Sequence, residues 1–171
     1  MDAGLLIFKG VCVKRRDVFK IALAIPVAGI YLPTLAHHGW SSFDQDRPIY
    51  LEGKVIKSAW QNPHVELQLE VPAAMKVPSD LSRRLLPAQS VPVDGKALVA
   101  KAVVPTRQDK RWEVELAPLG RLQAWNVAEI KVGTSISVLG FTFTGEKGDA
   151  VLRAEYLFVQ GNTYALRSSP I

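Results

Sequence analysis

From His64 to Val71 the chain alternates without a break. Val65, Leu67, Leu69 and Val71 are apolar, and His64, Glu66, Gln68 and Glu70 between them are polar. A period of two sends successive side chains to opposite faces, so this segment is a strand with one face in a core and the other in water. Such a strand needs pairing partners and a second layer to bury its apolar face. Ile49, Leu51, Gly53 and Val55 provide a first partner, and Gln61-Asn62-Pro63 provides the turn, so residues 49–71 read as a hairpin. Gly53 inside the run predicts a bulge or sharp bend.

The later segments extend the pattern. Trp112, Val114 and Leu116 alternate with Glu113 and Glu115, giving a third strand closed by Pro118. Leu122, Trp125 and Glu129 fall at helical intervals, predicting a helix over 119–130 that stops at Gly133. Strands follow at 135–143 and 151–159, with a turn at Gly145–Gly148. Strand, strand, strand, helix, strand, strand is the order of an OB-like five-stranded Greek-key barrel, all-β apart from one helix. Between the second and third strands, residues 72–110 form an excursion punctuated by Pro72, Pro78, Pro87 and Pro92. Within it a short helix is expected after Ser79-Asp80, over 81–86, and another strand over 97–104 after the Asp94-Gly95 turn. The barrel domain is expected over 37–161, with a frayed tail at 162–171.

Ahead of the barrel, Lys14-Arg15-Arg16 precedes an apolar run to Leu32, and Pro33-Thr34-Leu35-Ala36 follows. A positive start, a short apolar run and a small residue are the parts of a secretory signal, expected here over 1–36. Its uncharged run, Ile21 to Leu32, falls short of the about 20 apolar residues that span a bilayer, although an uncleaved anchor is the alternative. Arg15-Arg16-Asp17-Val18-Phe19-Lys20 also fits a twin-arginine signal, the route for proteins exported already folded. The expected location is the periplasm or beyond, with no membrane insertion after cleavage.

Charge and cysteine content narrow the function. Of the net charge of +5, most belongs to the leader: residues 37–171 hold 16 basic and 14 acidic side chains. That near-neutral balance argues against nucleic acid as a partner. Cys12 is the single cysteine, so the exported part holds no disulfide and no thiolate metal site. There is no Gly-x-Ser-x-Gly elbow and no phosphate loop, and no catalytic residue is assigned.

The three histidines fall in two places: His37-His38 after the expected cleavage point, and His64 at the start of the second strand. Cleavage after Ala36 would give His37 a free α-amino group, with a reference pKa of about 7.7–8.0, beside its imidazole. Amine and imidazole chelate one ion, and His38 or His64 would complete a nitrogen-rich set suited to copper or zinc. The plainer alternative is a polar terminus and a turn histidine. Trp40 and Trp60 flank the histidines; with Asp44 and Asn62 they either wall a pocket or seal the barrel end. Trp112 and Trp125 are expected in the core.

Several of these residues carry a resemblance. Ala36-His37-His38 with Phe43-Asp44, then Trp60-Gln61-Asn62-Pro63-His64, then Trp112-Glu113-Val114-Glu115-Leu116-Ala117-Pro118, resembles a domain-of-unknown-function family of small exported bacterial proteins. The similarity implies a periplasmic location and a small β-barrel, and it implies no reaction. The chain departs from the family in its long proline-rich excursion and in Gly39-Trp40, where a Ser followed by an aromatic or apolar residue is expected. Two readings follow: a metal- or small-ligand-binding accessory protein using His37, His38 and His64, or a non-catalytic module docking onto a periplasmic or inner-membrane complex. A copper oxygenase would require the free His37 terminus, and no substrate-binding signature accompanies it.

Overall fold

The computed structural model describes residues 39–171. Six strands make one sheet: β1 (Ile49–Ala59), β2 (Glu66–Glu70), β3 (Arg111–Glu115), β4 (Ser135–Phe141), β5 (Val151–Val159) and β6 (Asn162–Ala165). Their order is β3-β2-β1-β4-β5-β6, with every neighbouring pair antiparallel. A short parallel pairing of β3 with β5 closes the first five strands into a barrel. This is the OB-type Greek key that the strand order predicts.

The alternating apolar residues point inward as expected. Leu51, Val55, Leu67, Leu69, Trp112, Val114, Val138 and Leu152 are fully buried in one cluster. Closure needs curvature, and register shifts supply it in β1 between Val55 and Lys57 and against β5 between Leu139 and Gly140. Gly53 is not the bulge. It pairs in regular register with Ile136, and its lack of a side chain answers a close approach instead: a Cβ there would lie 2.4 Å from the Glu70 carbonyl oxygen.

The excursion departs most from expectation. The predicted strand at 97–104 is a helix, α1 (Gly95–Lys101). Asp94 caps it, its Oδ1 accepting from the Ala97 N–H at 2.9 Å. Helical spacing then turns Leu98, Val99 and Ala102 toward Tyr50, Leu139 and Tyr156 on the barrel's outer face. Only Val103 keeps a strand-like bridge, to Ile49. The helix expected over 81–86 shrinks to a single 3-10 turn, Leu81–Arg83, whose Leu81 plugs the same cluster. The excursion therefore lays a second apolar layer outside the barrel over Tyr156 and Phe158, and with the segment at Trp40 and Phe43 and the tail it buries both faces of β5 from Val151 to Phe158.

Two further expectations change. The helix after β3, α2, runs only from Leu119 to Ala124, because Asn126 takes a left-handed conformation (φ 55°) and the Val127 N–H turns back to the Leu122 carbonyl. The tail from Asn162 is not frayed: it forms β6 against β5, and Leu166 is buried in the barrel cluster. Gln89 fastens it further, its Oε1 accepting from the Ser168 N–H at 2.8 Å and its Nε2 donating to Glu155 at 2.9 Å. Among the described residues, no helix is long and apolar enough to cross a membrane.

Candidate functional site

The outward face of β2, β3 and β5 carries a row of charge. Glu66 faces Glu115 across β2 and β3, and Glu115 faces Arg153 across the parallel pair. Alternation sends all three away from the barrel interior, yet Glu115 and Arg153 are each only 8 % exposed. The chain entering β1 covers them, with Trp40 in a 3-10 turn (Trp40–Ser42) and Phe43 buried behind it.

Arg153 is the centre of this cluster. Its Nη1 donates to Glu115 Oε2 at 3.0 Å, and its guanidinium lies 5.1 Å from the Trp40 ring and 5.9 Å from Phe43. Its Nη2 sits 3.0 Å from His64 Nε2. A guanidinium only donates, so that histidine nitrogen accepts, which sets the Nδ1–H tautomer. Burial pulls the Arg153 pKa below its ordinary value against the attraction of Glu115, and the group stays charged at neutral pH. Arg167 reaches Trp40 as well, at 4.2 Å, while its Nε donates at 2.7 Å to Glu155, a carboxylate with no exposed surface.

Of the residues singled out in the sequence, Trp40 and His64 therefore meet at one guanidinium. Asp44 builds the turn that leads into β1: its Oδ1 accepts from the Asp46 N–H at 3.2 Å, and its own N–H donates to the Thr142 carbonyl. Trp60 packs on the edge of the barrel core. Asn62 has a structural task, its Oδ1 accepting at 3.1 Å from the Leu119 N–H, one of the free donors at the start of α2. Of the core tryptophans, Trp112 is buried, and Trp125 packs partly buried with its indole N–H bonded to the Ser168 carbonyl at 2.8 Å. His37 and His38 lie outside the described residues. Among the described residues, no group of three or more His, Asp, Glu or Cys is placed to hold a metal.

Sequence reasoning overlooked Arg153, Arg167, Glu115 and Glu155. A signal existed, since Arg153 and Glu155 are charges inside an apolar run from Val151 to Val159. Periodicity reads such charges as solvated, because it cannot show what lies over them.

A cleft of about 900 Å³ lies elsewhere on the outer face, between the excursion and β1, β4, β5 and β6, with Tyr50, Glu52, Arg84, Ser137 and Phe158 among its lining. The Tyr50 hydroxyl donates to Glu52 Oε2 at 2.8 Å, and burial raises the Tyr50 pKa. Neither the expected pocket residues nor His64 line it.

Fold and site together define a class: a small OB-type barrel with an outer apolar layer and an arginine-centred clamp on the segment that leads into its first strand. Residues 25–78 match the model of a family of unknown function (DUF6152), so over that stretch the chain is similar to a domain-of-unknown-function family. No curated protein and no solved structure matches the chain.

Proposed function

We propose that this is an exported, non-catalytic accessory protein that binds a metal ion, copper or zinc, at the end of the barrel where Trp40, Arg153 and His64 meet. Residues 1–36 are its leader, and His37, His38 and His64 are the ligands. One observation supports this reading most directly. Arg153 contacts both the Trp40 ring and His64 Nε2, so the residue two positions after His38 is clamped beside His64.

Glu66, Glu113 and Glu115 lie on β2 and β3 beside Arg153, and Arg167 stacks on the same Trp40 ring, so carboxylates and guanidiniums are mixed at this end. Because Arg153 holds the His64 Nε2, an incoming ion competes with a guanidinium for that nitrogen. The test is intact mass and metal analysis of the protein purified from the periplasm of its host. A mass beginning at His37 with stoichiometric copper or zinc, lost in His64→Ala, is the expected result. An unprocessed mass, or metal affinity indifferent to His64→Ala, overturns the reading.

A second reading is favoured by Leu85, 84 % exposed in the excursion beside Arg83 and Arg84. An apolar side chain held out among proline and arginine suits a protein partner in the periplasm or at the inner membrane. Recovery with membranes that is lost on deleting 76–93 would favour it, and a clean monomer in every extract would not.

A further inference from the structure

The cleft beside the excursion shares no residue with the His64 end, and its chemistry points elsewhere. Its floor is one row of outward side chains: Glu52 on β1 faces Ser137 on β4, Ser137 faces Phe158 on β5, and Phe158 faces Thr163 on β6. Arg84 arches over this row, its guanidinium 4.8 Å from the Phe158 ring. Its Nη1 lies 3.3 Å from Ser137 Oγ and its Nε 3.2 Å from Asp80. Beside it the Tyr50 hydroxyl donates to Glu52 Oε2 at 2.8 Å. One polar chain therefore runs from Asp80 through Arg84 to Ser137, and a Tyr50–Glu52 pair lies beside it.

Charge in the cleft is matched internally. An anion approaching Arg84 meets a guanidinium already paired with Asp80 and has Glu52 nearby. A cation approaching Glu52 meets a carboxylate bonded to the Tyr50 hydroxyl, with the Arg84 guanidinium in the same lining. Yet two positions remain open among the described residues: Glu52 Oε1 and Arg84 Nη2 make no hydrogen bond to the protein. One is an acceptor and the other a donor. Hydroxyl groups satisfy both at once without bringing charge. At about 900 Å³ the space is within the range of small-molecule sites, roughly 300–1,000 Å³.

We propose that this cleft is a binding site for a neutral, hydroxyl-rich molecule of the saccharide class, bonded between Glu52 and Arg84 over the Ser137–Phe158–Thr163 row. The experiment is an amide chemical-shift titration of the isotopically labelled protein with cellobiose, maltose and N,N′-diacetylchitobiose, alongside inorganic phosphate and betaine. Saturable shifts at Ser137, Phe158 and Thr163 with at least one disaccharide are expected. Glu52→Ala and Arg84→Ala should each weaken binding about tenfold, as losing a hydrogen bond to a charged group does. Arg84→Gln, which keeps a donor but loses the fork, replaces any variant whose spectrum shows disturbance beyond the cleft. Silence with all three sugars, tighter binding of phosphate or betaine, or an affinity that the variants leave unchanged overturns the proposal.

Discussion

Arg153 shows how one side chain can hold a boundary of the fold. It sits buried between Glu115, His64 and two aromatic rings, so its removal takes the guanidinium from a carboxylate that is itself nearly inaccessible. Breaking a buried pair from one side costs about 3–5 kcal/mol. Arg153→Ala should lose stability on that scale in urea unfolding, and the double variant with Glu115→Ala should lose less than the two singles combined. Glycines make a sharper contrast. A Cβ at Gly140 would lie 2.2 Å from the Arg153 carbonyl oxygen, whereas one at Gly120 meets nothing within 4 Å. Gly140→Ala should therefore destabilise by about 3 kcal/mol or more, beyond ordinary overpacking. Gly120→Ala, in a helix, should stabilise by about 0.5–1 kcal/mol. The same denaturation measurement checks both.

Individual elements are finished by groups far away in sequence. The α2 helix has no side-chain cap from Pro118, and Asn62 supplies the acceptor from the β1–β2 turn. Asn62→Ala should cost about 1 kcal/mol, the usual worth of such a cap. The turn between β4 and β5 is tied to the end of the excursion through Glu146, which accepts from the Thr106 and Arg107 N–H groups and from Arg47. Burial works to raise the Glu146 pKa, but these donors outweigh it and the net shift is downward. A carboxylate lowered on folding contributes stability above its unfolded pKa and loses that contribution as the pH falls through the folded value. Glu146→Gln should cost about 1.5–3 kcal/mol at neutral pH and a smaller amount at pH 3, which melting curves at the two pH values would show. Element by element, β1 to β3 could be read from local alternation, β4 and β5 as runs on either side of the Gly145–Gly148 turn, and the existence of α2 from helical spacing. The identity of α1 could not, because an apolar run of eight residues fits either a strand or a helix, and the Asp94 cap decided it.

At the scale of the whole molecule, a barrel and an outer layer share β5. Tyr156 is buried between that strand and the excursion, and burial pushes its pKa up to about 12; Tyr50, in the same layer, is raised too. A phenol raised on folding supports the fold fully below its unfolded value, near 10, and withdraws that support as the pH climbs toward the folded value. The melting temperature should fall between about pH 10 and 12, and Tyr156→Phe should flatten that fall. Spectrophotometric titration of the phenols checks the assignment. The tail acts at this scale as well. Because β6 and Gln89 join it to both β5 and the excursion, a chain ending at residue 161 should lose its cooperative unfolding transition.

What the sequence by itself determined is the barrel: Val65, Leu67, Leu69, Trp112, Val114 and their counterparts declare their inward face through a spacing that neighbouring residues set. What only the tertiary structure decided is the fate of the outward face. Arg153, Glu115 and Glu155 have the alternation of solvated residues, and they became a buried cluster because Trp40, Phe43 and the tail lie over them. The cleft at Glu52 and Arg84 likewise exists because a segment some thirty residues away in sequence folds over β1. Burial of an outward side chain depends on what packs above it. Those partners are distant in the chain, and no local period records them.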